Sequence, residues 1–186
     1  MIRAFHYKYM FTRLFQKLPA KESTGYHIPM PIEIERKFLL KDETWRDLVE
    51  KSINIIQGYL ANTGRSSIRI RLSDEQASLN IKGMTLGVTR SEYDYPIPVE
   101  EARSLLKDLC IGPLIEKTRH HLEYRGHSWE IDEFTGENAG LIVAEIELDD
   151  PRENFAVPGW LGEEVSDDPR YYNICLVEQP YSAWKK

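Results

Sequence analysis

Cysteine is scarce and poorly placed for chemistry. Cys110 and Cys175 are the only two in 186 residues, with no CxxC spacing and no neighbouring histidine, which excludes a disulfide framework and a thiolate metal site. They read as structural thiols of a reducing, cytoplasmic compartment. Long apolar runs are missing as well. Nothing approaches the roughly 18 residues needed to cross a bilayer, so no membrane span is expected. A surplus of positive charge is also lacking, since the chain carries a formal net charge of −6. Residues 1–29 hold five Lys or Arg against the single acid Glu22, so residues 30–186 stand at −10. Bulk electrostatics therefore exclude a nucleic-acid duplex as partner, and a phosphate site must be a local basic cluster or draw on metal.

The chain is long enough for one domain with a real core, and 41% of it is hydrophobic. Residues 1–29 form a separate basic, aromatic extension without the compact apolar stretch of a secretory signal. An amphipathic, transit-like segment and a disordered or non-native extension ahead of a start at Met30 are both open readings. Phe5, Tyr9, Phe11 and Phe15 would not make one clean stripe on a helix, which weakens the first. The domain then runs over 30–186.

From Ile32 the pattern becomes short alternating stretches between turn residues, the mark of antiparallel sheet. Strands are predicted at 32–40, 54–61, 66–73, 77–83, 90–97, 114–124, 127–133 and 141–148. Helices are predicted at 42–51, with Asp42 as N-cap, and at 100–109. In the second helix Ala102, Leu105, Leu106 and Leu109 recur at helical spacing, and Gly112 and Pro113 stop it. The stretch after Asp149 is rich in Pro, Gly and acids and reads as a loop with short helical turns, pinned by Trp160 and Leu161. The resulting class is α+β and β-dominated. Eight strands could close an antiparallel barrel, with the helices packed outside.

The polar faces of these strands are organised by sign. In IEIERKFLL the two-residue period puts Glu33, Glu35 and Lys37 on one face and Ile34, Phe38 and Leu40 on the other, which Arg36 interrupts. Arg69 and Arg71 share a face about 7 Å apart, and guanidinium forks suit phosphate oxygens. Asn80 pairs with Lys82, Arg90 and Glu92 with Asp94, Lys117 with Arg119, Glu130 with Asp132, and Glu145 with Glu147. On any single strand a solvated face explains this. Across the chain, acids gather in the first and last strands and bases between them. A polyphosphate would use both signs, with Arg and Lys neutralising its oxygens and carboxylates holding a bridging Mg²⁺ or Mn²⁺.

These residues carry a resemblance. Glu33, Glu35 and Lys37 match the ExExK signature of the CYTH, or triphosphate tunnel metalloenzyme, family. The likeness continues through IIQGYL, SIRIRL, LNIKG, TRSEYDYPIP, IEKTRH, WEIDEFTG, GLIVAEIEL and GEEVSDDPRYYN. The resemblance implies an eight-stranded tunnel holding a triphosphate and divalent metal. It implies Glu33, Glu35, Glu145 and Glu147 as metal-binding carboxylates, and Lys37, Arg69, Arg71, Lys82, Arg90, Lys117 and Arg119 as phosphate contacts. Glu92 and Asp132 would be supporting acids, with Lys37, Glu145 and Glu147 as the catalytic set. The activity implied first is hydrolysis of inorganic tripolyphosphate by a metal-activated water. The alternatives are a class IV adenylyl cyclase, a thiamine or nucleoside triphosphatase, and a polyphosphate-binding module without turnover. The four glutamates speak against the last. The oligomeric state stays open, with a homodimer as one option.

Three aromatic or titratable groups have plainer readings. Of His120 and His121, at most one can face the tunnel, and neither suggests zinc. Tyr59, Tyr93 and Tyr95 are expected to pack between barrel and helices. Tyr171, Tyr172 and Asn173 are expected to form a lid at one tunnel mouth.

Overall fold

Strand alternation is realised as nine antiparallel strands in the computed structural model, which describes residues 32–74, 76–83 and 88–184. The basic segment at 1–29 lies outside the described residues. In chain order the strands are β1 (Ile32–Leu40), β2 (Lys51–Asn62), β3 (Ser66–Ser73), β4 (Gln76–Gly83), β5 (Thr89–Pro96), β6 (Ile111–Tyr124), β7 (His127–Phe134), β8 (Ile142–Glu147) and β9 (Leu161–Glu164). They hydrogen-bond in the order β5-β4-β3-β2-β6-β7-β8-β1, and pairing of β1 with β5 closes the ring. The expected eight-stranded barrel is the fold.

The ninth strand was not foreseen. Ile32–Ile34 pair with β5, while Phe38 and Leu40 pair with β9, so β1 passes from the barrel neighbour to the added strand within nine residues. Gly162 permits this approach, since a Cβ there would lie 2.7 Å from the Leu39 carbonyl oxygen. Arg36, the charge that interrupts the apolar face of β1, meets Glu164 of β9 with its Nε 2.8 Å from Oε1. Its guanidinium also lies over the rings of Phe38 and Phe155.

Because the inward positions carry charge, the apolar core forms mainly on the barrel's outer face. Ile34, Phe38, Leu122, Trp129, Ile131 and Ile146 pack there beneath Trp45, Trp160 and Leu161. Trp160 and Leu161 therefore do pin the long loop. A second cluster joins Ile70 and Leu72 to Ala102 and Leu106 of α1 (Val99–Asp108). Fully burying such side chains stabilises the fold by roughly 1.5–3 kcal/mol each. Leu109 falls beyond the helix end and is 61% exposed, so the apolar face of α1 is shorter than its spacing suggested.

The predicted helix at 42–51 is instead a 3-10 turn over Thr44–Leu48, and β2 begins at Lys51. The N-cap is Glu43 rather than Asp42, which stands one residue earlier and accepts from the Thr44 amide at 2.9 Å. Only Trp45 of this turn is buried, so no apolar stripe exists to dock a longer helix. The expected loop carries a short 3-10 turn at Pro169–Tyr171, and just beyond it α2 (Asn173–Glu178) packs Ile174, Leu176 and Val177 against Tyr59, Ile115, Phe134 and Val143. Gly112, at φ +69, lets the chain pass Val177, whose Cγ1 would lie 2.6 Å from a Cβ there. Tyr59 is buried as expected. Tyr93 and Tyr95 are not, because α1 covers β3 and β4 rather than β5. No helix among the described residues is long and apolar enough to cross a membrane.

Candidate active site

Closing the sheet gathers the inward charges around a cavity of about 540 Å³. Glu33, Glu35, Lys37, Arg69, Arg71, Lys82, Arg90, Glu92, Arg119, Glu145 and Glu147 line it. Lys117 and Asp132 do not. They form an ion pair behind the wall, with no exposed side-chain surface on either. At one end the inward residues of β2, β6, β7 and β8 change from charged to apolar, at Tyr59, Ile115, Phe134 and Val143, and α2 lies against them. Tyr172 and Asn173 reach the cavity, whereas Tyr171 meets Trp184 edge to face. Two of the three residues expected at a tunnel mouth thus border the cavity, and the Tyr172 hydroxyl donates to the Ser166 carbonyl at 2.8 Å.

Most wall bases are paired to acids. Lys37 bridges Glu145 and Glu35, the latter at 2.6 Å. Arg90 reaches Glu33 at 2.6 Å and Glu35 at 2.8 Å, and Lys82 contacts Glu33 at 2.7 Å and Glu92 at 3.0 Å. Arg119 grips Asp132 with Nε and Nη2, both at 2.7 Å, and adds Glu145 at 2.6 Å and Glu130. Burial would raise the Glu145 carboxyl, but Lys37 and Arg119 outweigh it and hold Glu145 well below the usual carboxylate range.

Two arginines differ. Arg69 is 3% exposed, and among the described residues its guanidinium hydrogen-bonds from Nη1 to the neutral Gln57 Oε1, at 3.2 Å. Its Nε and Nη2 are buried without an acceptor, as is Nε of Arg71. Neither guanidinium has a carboxylate partner among the described residues. Repulsion from Arg69, and then burial, bring Arg71 down to about 10. Buried donors without acceptors are rare and costly, and an anion in this corner would satisfy them.

One acid differs in the opposite sense. Glu147 stands opposite Glu35 in register, and no base pairs with it among the described residues. Glu147 is itself exposed at the end of β8, and what burial it has, then Glu33, Glu35, Glu92 and Glu130, push its carboxyl up. Positive charge is what this place lacks. As the side chains stand, no three potential ligands converge on one point among the described residues. Glu33, Glu35 and Glu145 are turned instead to lysine and arginine. The donor set nevertheless consists of carboxylate oxygens alone, which fits a hard divalent cation rather than zinc.

Two wall residues stand outside the predicted site: Glu130, which shares the inward face with Asp132, and Gln57, whose parity with Ile55 and Tyr59 points it inward. Of the histidines, His120 lies on the outer side beside Trp45 and Ser52, and His121 approaches Glu130 at 3.5 Å. Neither lines the cavity.

Comparison with known proteins agrees with this geometry. The CYTH domain model matches residues 31–172. An inorganic triphosphatase of Acetivibrio thermocellus is 44% identical over 154 residues, covering 83% of this chain and 98% of that protein. An inorganic triphosphatase of Nitrosomonas europaea is 34% identical over 149 residues, covering 78% and 96%. The crystal structure of the inorganic triphosphatase NE1496 superposes with a TM-score of 0.58 at 32% identity, covering 78% of this chain and 93% of that one.

Proposed function

The chain belongs to the CYTH domain family, and from that premise we propose that it is a divalent-metal-dependent triphosphatase acting on inorganic tripolyphosphate. The observation that carries this reading is the pair of Arg69, buried, and Arg71, half-buried, on the cavity wall, each with a donor that lacks an acceptor and neither with a carboxylate partner among the described residues. Phosphate oxygens are the acceptors such forks suit.

The charge balance of the wall explains the need for metal. Lys37, Arg69, Arg71, Lys82, Arg90 and Arg119 face Glu33, Glu35, Glu92, Glu130, Glu145 and Glu147, so the lining is close to neutral. A polyanion entering alone would leave several negative charges uncompensated in an enclosed site. Mg²⁺ or Mn²⁺ held by Glu33, Glu35, Glu145 and Glu147 would supply that compensation, and would polarise phosphoryl oxygens and acidify water.

The chain's own residues do the rest. Arg69 and Arg71 receive phosphate oxygens directly. Lys37, Lys82, Arg90 and Arg119 pass from carboxylate to phosphate partners as the ligand enters, which frees the glutamates for metal. Asp132 holds Arg119 from behind through two hydrogen bonds, and Lys117 holds Asp132. The enclosed wall limits bulk water, which strengthens each of these contacts. Lys37 then lies within reach of both a metal-holding acid and the substrate, as suits a group that neutralises charge developing on the transferred phosphoryl.

Inorganic substrate is favoured over nucleotide by the lining. Of the two cavity tyrosines, Tyr59 is buried in the apolar cluster beside α2 and Tyr172 donates to Ser166, so neither is offered as a platform for a base. The test is a panel of tripolyphosphate, ATP, GTP and thiamine triphosphate with Mg²⁺ or Mn²⁺, with orthophosphate, pyrophosphate and cyclic nucleotide resolved. Orthophosphate release from tripolyphosphate, faster than from the organic triphosphates, is expected. Binding without release at saturating metal, or cyclic AMP as the main product from ATP, would sink the proposal.

A further inference from the structure

Gln57 occupies a place where an acid would complete the local pattern. It is fully buried at the centre of β2, between Arg71 of β3 and Ile115 of β6 in register. Lys37, Lys82, Arg90, Lys117 and Arg119 each rest on at least one carboxylate. Arg69 rests on the Gln57 amide instead. An amide oxygen and a carboxylate oxygen orient a guanidinium equally well, but only the carboxylate cancels its charge. The remaining charge is felt next door, where Arg69 is the main influence lowering Arg71.

We propose that Gln57 is a positioning residue that aims Arg69 into the cavity while leaving its charge unspent for an anionic phosphate. This rests on the phosphate-binding reading of Arg69 given above. The amide Nε2 of Gln57 is itself buried with no acceptor. A buried amide with one end unsatisfied is a poor choice for stability alone, and a carboxylate there would pair with Arg69 and relieve its repulsion with Arg71. Stability is thus forgone where anion affinity gains.

The opposition between stability and affinity supplies the test. Gln57→Glu and Gln57→Leu would be compared with the wild-type chain by thermal unfolding, by calorimetric titration of inorganic phosphate into metal-free protein, and by steady-state hydrolysis of tripolyphosphate with Mg²⁺. Gln57→Glu should keep or raise the unfolding temperature while weakening phosphate binding, and raising KM, about tenfold or more. Gln57→Leu, which removes the orienting acceptor but adds no charge, should unfold at a lower temperature and weaken phosphate binding less than Gln57→Glu does.

Unchanged phosphate binding in Gln57→Glu would overturn the inference, as would weaker binding accompanied by a lower unfolding temperature, which marks a merely structural residue. Wild-type protein that binds no phosphate without metal would overturn it too. Wild-type protein that binds phosphate yet hydrolyses no tripolyphosphate would leave the role of Gln57 standing and remove the triphosphatase reading.

Discussion

Glu35 and Glu147 stand directly opposite one another across β1 and β8, with both side chains facing the cavity. Lys37 and Arg90 neutralise Glu35, and Glu147 has no such partner among the described residues. Burial, and after it the surrounding acids, hold the Glu147 carboxyl above its ordinary value. A raised carboxyl binds its proton more tightly folded than unfolded. Its contribution is therefore intact below the unfolded value near ~4.3 and is lost as pH rises through the folded one. In metal-free protein at pH 7–8, Glu147→Gln should raise the unfolding temperature by about 1–3 °C, on the scale of a like-charge cross-strand pair. The gain should vanish near pH 4, and Mg²⁺ should then stabilise the wild type more than the variant. Scanning calorimetry with and without EDTA checks both, and a lower value for the variant in EDTA would return Glu147 to an ordinary solvated acid.

Arg71 and Arg119 line the same cavity but should respond oppositely to removal. Arg119 holds Asp132, Glu130 and Glu145, so Arg119→Ala takes one of two cations from each of the buried acids Asp132 and Glu145, leaving them Lys117 and Lys37, at a cost of about 3–5 kcal/mol. The unfolding temperature should fall by roughly 6–20 °C. Arg71 has no acid to strand, and its charge is disfavoured folded at every pH below about 10. Arg71→Ala should therefore leave the unfolding temperature unchanged or raised across pH 6–9. It should also raise KM for tripolyphosphate about tenfold or more. Thermal unfolding beside initial-rate kinetics separates the two, and a large loss of stability in Arg71→Ala would contradict the free-guanidinium assignment.

The wall was legible in the sequence because strand parity is a local property. Glu33, Glu35 and Lys37 share a face whatever lies around them, and the same holds for Arg69 with Arg71 and Glu145 with Glu147. Parity says which side a residue faces but not how deep it lies. Lys117 and Arg119 look alike in sequence, yet the barrel places one behind the wall and the other on it. Gln57 was hidden for a related reason: a lone amide between apolar residues has no sign, and its meaning comes from the β3 arginine that pairing brings beside it. The tail was least legible. β9 and α2 are short, and each exists because β1 and the apolar end of the barrel offer a surface, not because of their own propensity. Tyr93 and Tyr95 show the converse, good strand formers that α1 leaves exposed because it lies over β3 and β4.

Glu145 links the two halves of the site, since it accepts from both Lys37 and Arg119. Each base keeps another acid when Glu145 is neutralised, Glu35 for Lys37 and Asp132 for Arg119, so Glu145→Gln should still fold. As a proposed metal ligand it should not be replaceable by an amide. Turnover of tripolyphosphate should fall about 100-fold or more, and the metal concentration for half-maximal residual rate should rise at least about tenfold. Phosphate release measured across a Mg²⁺ titration decides this, and near-normal activity would refute the ligand role.

Lys117 gives a separate pH signature because it lies wholly behind the wall. Burial, then Arg119, push its ammonium down to about 8, although Asp132 pulls the other way. An unfolded lysine titrates near ~10.4. Between those values the unfolded chain holds a proton that the folded one has released, so stability rises with pH, by up to ~1.4 kcal/mol per unit for one group. Lys117→Met removes the titrating group, while Asp132 keeps its two hydrogen bonds from Arg119 and the barrel stays closed. Urea unfolding of metal-free protein at pH 8, 9 and 10 should show wild-type stability climbing relative to the variant. The same variant should raise KM less than Arg69→Ala does, since Lys117 does not touch the cavity. Parallel pH profiles would mean that Lys117 titrates as an ordinary lysine. A KM effect matching that of Arg69→Ala would mean that it reaches the phosphate after all.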